Sequence, residues 1–309
     1  MRKKVVTGIM MLLLLLSMLT FAFSIRQVEA SGTIYIRADG SVDPPSAPIQ
    51  RDGDTYFLTD NIYDEIMVER NNIVVDGRSY TVQGVGEGEG IYLRAPADNV
   101  TIKNIQIKEF YYGIDVASSS NIIQGNNITN NAIGIQLYST CNNIISGNNV
   151  TNNSGGIYLS DSSNNTVSGN DIRANSQRGI ELTVSSSNNV LSGNNIVANN
   201  MDGIGLSVSS NYNMISGNSI TANGDSGILV SWSSNYNSFF GNSMTNNECG
   251  IYLYETSNNT ICHNNFVNNT EQVYSYNSIN VWDDGYPSGG NYWSNYTGVD
   301  LCSGPYQNE

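Results

Sequence analysis

Four residues in the middle of this 309-residue chain have side chains that could act on a polymer: Asp115, Arg178, Glu181 and Asp202. Glycoside hydrolysis needs two carboxyls ~5 to 10 Å apart, one to protonate the leaving oxygen and one to attack or to activate water. A polysaccharide lyase would instead pair an Arg or Lys base with Ca²⁺ held by clustered carboxylates. Beyond Arg94 the basic residues are Lys103, Lys108, Arg173 and Arg178. Arg178 with Glu181 is the suggestive pair, although a surface ion pair accounts for it equally well. In the tail, Asp283, Asp284 and Asp300 are candidate Ca²⁺ ligands.

What positions these groups is a repeat. Gly-Ile-x-Leu or Gly-Ile-x-Val recurs from Gly90 through Gly113, Gly134, Gly156, Gly179, Gly203 and Gly227 to Gly250, at spacings of 21 to 24 residues. Each unit continues with an Asn, apolar residues and Gly-Asn, as in Asn121-Ile-Ile-Gln-Gly-Asn126 and Asn189-Val-Leu-Ser-Gly-Asn194. In the last copy, Asn259-Thr-Ile-Cys-His-Asn264, His263 stands where Gly is expected. An apolar residue with Asn three later closes the unit, as at Ile128 and Asn131. Three short apolar runs per unit are too short for helices and suit strands. Three strands per turn predict an all-β, right-handed, single-stranded parallel β-helix of about nine coils. The predicted organisation is an N-terminal cap at 31–70, coils at 71–270 and an aromatic-rich C-terminal cap at 271–309.

The abundant asparagine, 46 residues, follows from the coil. Asn tolerates the left-handed region at sharp turns, and Asn126, Asn148, Asn170, Asn194, Asn218, Asn242 and Asn264 are expected to form a ladder down one corner. On the Gly-Ile-x strand the outward positions x are Tyr92, Asp115, Gln136, Tyr158, Glu181, Gly205, Leu229 and Tyr252. Tyrosines interleaved with Asp, Gln and Glu make a candidate sugar-binding strip of Tyr92, Asp115, Gln136, Tyr158, Glu181 and Tyr252. With coils ~4.8 Å apart, Asp115 and Glu181 should lie ~14 Å from each other and Glu181 and Asp202 ~11 Å. Neither spacing suits hydrolysis, which argues for binding without cleavage.

The ends and the charge narrow the partners. Arg2, Lys3 and Lys4 precede an apolar run and Val28-Glu29-Ala30, the pattern of a secretory signal at 1–30. If uncleaved, the same segment is long enough to anchor the chain in a membrane. Either way the remainder is extracytoplasmic, secreted or at the cell surface. The formal charge is −14, and no Lys or Arg follows Arg178. Nucleic acid is thereby excluded as a partner, because phosphates need clustered cations. An extracellular carbohydrate or another cell-envelope component is the expected one. Among Cys141, Cys249, Cys262 and Cys302, a bridge from Cys302 to Cys249 or Cys262 is conceivable after export.

The paired signatures resemble the NosD-like right-handed β-helix proteins, which share their repeat with carbohydrate-binding and sugar-hydrolysing β-helix domains of the pectin-lyase type. The resemblance spans roughly Thr33 to Glu309, from Ile34-Tyr-Ile-Arg-Ala-Asp-Gly to Gly290-Asn-Tyr-Trp-Ser-Asn-Tyr296. It implies the fold, with either a binding role or a polysaccharide lyase or hydrolase activity. The namesake's link to copper implies a copper accessory role, which the ligands disfavour. The single His is His263, and Met67, Met201, Met214 and Met244 are scattered, whereas copper draws on clustered imidazole, thiolate and thioether. Cys262 and His263, as neighbours on a strand end, are expected to point in different directions.

Overall fold

The computed structural model describes residues 32–285 and 289–298. The expected export signal, Asp300 and Cys302 lie outside the described residues. Every regular element within them is a short strand, as apolar runs punctuated by Gly and Asn require. The strands stack into three sheets of twelve, twelve and ten members. In one coil, Tyr112–Val116 belongs to the first sheet, Ile122–Gln124 to the second and Asn127–Thr129 to the third. The chain then returns through Ile133–Tyr138 to lie parallel with Tyr112–Val116.

Register is kept on all three walls, with Ile114 opposite Ile135, Ile123 opposite Ile145 and Ile128 opposite Val150. The result is a right-handed parallel β-helix with three strands per coil. It has about ten coils, because the third sheet counts ten strands. The repeat indicates about nine; the irregular opening adds to it, since Ile34–Ile36 already pairs in parallel with Ile66–Val68. The inward Ile114, Ile123 and Ile128 have no exposed surface and continue one apolar column through the coils. Burial of each such side chain stabilises by about 1.5–3 kcal/mol. Each coil touches only its neighbours, so stability accumulates coil by coil.

The corners divide their work between adjacent residues. The ladder asparagines do not themselves take the left-handed conformation, as the sequence suggests; the residue before each one does. Gly125 at φ 63° precedes Asn126, Asn130 at φ 58° precedes Asn131, and Ser120 at φ 62° precedes Asn121. The bend at that residue turns the following amide inward, where Asn121, Asn126 and Asn131 are all buried. Three ladders result, one per corner, running from Asn121 to Asn259, Asn126 to Asn264 and Asn131 to Asn269. Asn194 illustrates the bonding: its Oδ1 accepts from Asn170 N and Nδ2, each at 3.0 Å. Its Nδ2 donates to Val167 O and to Asn218 Oδ1, each at 2.9 Å. Among the described residues no buried side-chain polar atom lacks a partner.

The last rungs are supplied by the tail, where Asn280 accepts from Asn259 N and Asn291 from Asn264 N, both at 3.0 Å. Trp293 stacks on Phe266 at 4.4 Å and Trp282 leans on Trp293 at 6.0 Å. Both indoles pack against the core, so they close its apolar end.

Replacing Asn194 with Ala strands the Asn170 N–H and the Val167 carbonyl in the interior and should cost roughly 2–4 kcal/mol. Replacing its exposed neighbour Asn195 should change stability by no more than about 0.5 kcal/mol. Urea midpoints of the two variants check this, and equal losses would remove the ladder from the account.

Candidate functional strip on the first sheet

In-register pairing of the first sheet places one outward residue per coil on a single line. Tyr92, Asp115, Gln136, Tyr158 and Glu181 are successive Cα partners. Gly205, Leu229, Tyr252 and Tyr274 continue the line. Coil stacking sets them ~4.8 Å apart. The ridge is therefore long, straight and half-buried by its own neighbours, with two chemically distinct stretches.

The upper stretch centres on Asp115, whose Oδ1 accepts from Gln136 Nε2 at 3.3 Å. Burial, reinforced by the Glu89 carboxylate, pushes the Asp115 carboxyl up to about 6 against the bonds from Gln136 and Val116 N–H. Glu89 is itself raised, first by burial and then by Glu65. The phenols of Tyr92, Tyr112 and Tyr158 are raised as well, mainly by burial. Near pH 6 this stretch offers neutral hydroxyls and an Asp115 carboxyl that can donate or accept.

In the lower stretch Arg178 lies across the strip. Its Nε donates to Asp202 Oδ2 at 2.8 Å and its Nη1 to Glu181 Oε1 at 2.7 Å. Backbone spacing alone put the two carboxylates ~11 Å apart; the structure instead brings both to one guanidinium, because side chains lean along the strand. Gly205 makes the room, since a Cβ there would stand 2.9 Å from Arg178 Cδ and 3.0 Å from its Nε. Burial opposes the guanidinium charge, but the bond to Asp202 and the Glu181 and Asp202 charges outweigh it and hold the pKa above the ordinary arginine value. Such an arginine is a poor proton acceptor.

Beside this triad is a cleft of 370 Å³ that also includes Asp225, Glu248, Cys249, Tyr252 and Glu271. Asp225 is raised by burial, then by Asp202, with Glu248 adding to it. The Cys249 thiol is pushed up to about 11, chiefly by burial, and so stays protonated. Sequence reasoning passed over Asp225 and Glu248, whose signal was their place two residues before Gly227 and Gly250. It also passed over ring pairing: Tyr252 and Tyr274 stack at 4.5 Å, and Tyr254 and Tyr276 at 5.4 Å.

At the last corner the expectation for Cys262 and His263 is corrected. Strand alternation would separate their side chains, but His263 takes φ 58°, which breaks the pleat. The donor atoms of Cys262, His263 and Asp284 all lie within 4.8 Å of one another. Asp283 turns elsewhere and accepts from Gly285 N at 2.7 Å. Ca²⁺ takes six to eight oxygens, whereas the donors gathered round Asp284 are a thiol and an imidazole. A trigonal copper site of two imidazoles and a thiolate does not fit either, because the chain holds one histidine.

The fold class agrees with the comparisons. Residues 64–211 match the family model for a right-handed β-helix region, and residues 184–298 match that of NosD, described as a periplasmic copper-binding protein. Together the two matches, spanning residues 64–298, support a NosD-like right-handed parallel β-helix family. No curated protein sequence matches it. It is similar to the structure of a double mutant of the periplasmic alginate epimerase AlgG, at 15% identity over 80% of this chain and 82% of that one, with a TM-score of 0.61. It is also similar to the Dettilon tailspike protein, at 14% identity over 77% of this chain and 60% of that one, with a TM-score of 0.57. At such identities the likeness is one of fold.

The raised Asp115 carboxyl has a consequence for stability. Between its ordinary value of 3.8 and about 6, the folded protein keeps a proton that the unfolded chain has lost, so stability falls as pH rises through that window. Asp115→Asn keeps a bond to Gln136 and removes the fall. Its stability relative to the parent should improve by on the order of 2 kcal/mol between pH 4 and pH 7. Urea unfolding at the two pH values checks this; a difference independent of pH would contradict it.

Proposed function

We propose that the protein is exported and binds a neutral carbohydrate chain lengthwise along the first sheet, without cleaving it. The observation that carries this reading is the unbroken register line from Tyr92 to Tyr274. Tyrosine faces on that line alternate with the hydrogen-bonding groups of Asp115, Gln136 and Glu181, the mixture that sugar rings and their hydroxyls require. Export is supported by the charged start and apolar run of residues 1–30, and by the periplasmic description of the matched NosD family. Neutrality of the ligand follows from charge. Arg178 is already bonded to two carboxylates and no Lys or Arg follows it, so the second half offers no free cation to an acidic polymer.

The absence of cleavage rests on the same groups. Arg178 is unsuited to act as a base, and Glu181 and Asp202 both neutralise it. A second reading draws on Asp115, because a carboxyl near 6 beside Glu89 has the character of a general acid. On that reading the protein is a polysaccharide hydrolase or lyase of the same fold, and Asp115→Asn abolishes product formation.

Glycan-array and calorimetric binding of the purified exported chain test the proposal. Tyr158→Ala should weaken binding by about tenfold or more, as loss of a central aromatic contact does. Tyr212→Ala, off the strip, should leave it unchanged. Failure to bind any neutral glycan would overturn the proposal. New reducing ends or unsaturated products from those glycans would replace it with the second reading.

A further inference from the structure

A departure from the coil rule occurs at the corner between the second and third sheets. Six successive coils place a left-handed Gly there, from Gly125 to Gly241 at φ 61° to 65°. At Gly147, Gly169, Gly193 and Gly217 an added Cβ would meet nothing within 4 Å, so the corner opens outward and has space for a side chain. The seventh coil fills that space with His263. Its imidazole leans on the Phe240 ring, with centroids 4.9 Å apart and planes tilted by 59°. Its Nε2 lies 3.2 Å from both carboxylate oxygens of Asp284. Cys262, the preceding residue, occupies the outward row of Phe240. Phe240 is 48% exposed, whereas Cys262 is 4% exposed. Its thiol is placed close enough to Asp284 and Asp283 for their charges to reach it.

We infer that Cys262, His263 and Asp284 form a mononuclear site for a zinc-class divalent ion, which fastens the tail to the last coils. One sulfur, one imidazole nitrogen and one carboxylate oxygen within 4.8 Å of each other need draw in by only roughly 1 Å to reach ~2.0–2.3 Å from a common ion. Three protein ligands leave the fourth tetrahedral position to water. The donor set separates this ion from the hard cations, which take oxygen. It also separates it from the two-imidazole copper centre that the chain cannot build. Binding transfers the thiol proton to solvent and forms the metal–thiolate bond. Asp284 lies between the last strands of the second and third sheets, Ile279–Val281 and Tyr292–Trp293. The ion therefore links the indole-bearing tail that closes the core to a corner 21 residues earlier.

The test uses the full exported chain, purified under reducing conditions and freed of metal with a chelator. Zn²⁺ should bind at one equivalent by elemental analysis and raise the unfolding midpoint by mass action. Co²⁺ should bind in the same place with a thiolate-to-cobalt charge-transfer band. His263→Gly restores the residue found in six other coils and so preserves the fold; with Asp284→Asn, it should weaken Zn²⁺ by about tenfold or more. Cys262→Ser should abolish the cobalt band. The inference is overturned if Zn²⁺ does not bind, if the His263→Gly and Cys262→Ser chains bind it undiminished, or if the chain takes up copper while excluding zinc and cobalt. Alkylation in denaturant without reductant that finds Cys262 in a disulfide would also overturn it.

Discussion

A solenoid turning three times per coil must bury the polar backbone of every corner, and the amide ladders are what make that affordable. A peptide group left unpaired in the interior costs about 1–3 kcal/mol, a penalty that would recur at three corners in each coil. The asparagine side chain meets the demand because one amide both donates and accepts. Asn170, for example, takes Ile145 O at 2.9 Å and reaches the next coil through Asn194 Oδ1 at 3.0 Å. The left-handed residue before each ladder position turns the amide inward. The ladders fix the coil spacing, and the spacing holds the outward residues of the first sheet in one line.

With the corners satisfied internally, the lateral walls are free to vary. The first sheet uses this freedom in two ways. Around Asp115 it buries carboxyls beside phenols and an amide, keeping hydrogen-bonding capacity at modest charge. Around Arg178 it collapses three charges into one triad over Gly205, a glycine that leaves room for the guanidinium rather than serving a turn. Below the triad, Tyr252 and Tyr274 stack face to face at 4.5 Å, so the strip ends in aromatic surface. Those rings remain outside, while Trp282 and Trp293 cover the core.

The coil and the strip were legible in the sequence because Gly-Ile-x-Leu marks the wall where register is strictest. The position x could be counted from Gly90 to Gly250 although unit length varies from 21 to 24 residues. That variation resides in the turns: Asn153 to Gly156 is three residues, whereas Asn199 to Gly203 is four. The cleft acids Asp225 and Glu248 sit in this variable turn, which hid their convergence with Asp202. The Arg178 triad was obscured because backbone spacing says nothing of how far side chains lean. The gathering of Cys262, His263 and Asp284 is hidden for a different reason: pleat alternation does not hold through His263, where the left-handed backbone suspends it. The two further ladders, at Asn121 and Asn131, were visible as repeated letters, but their burial is a property of the assembled coil.

On the proposed function, one wall of the coil, the first sheet, is the surface that meets a carbohydrate. Hydroxyl-radical footprinting of tyrosines, with and without a saturating neutral glycan, tests it directly because this chain carries rings on more than one face. Tyr92, Tyr158 and Tyr252 should be protected, while Tyr212 and Tyr236, stacked on each other at 5.2 Å on the turn beyond that wall, should label as before. Protection of Tyr212 and Tyr236 with Tyr92 and Tyr158 unchanged would contradict it.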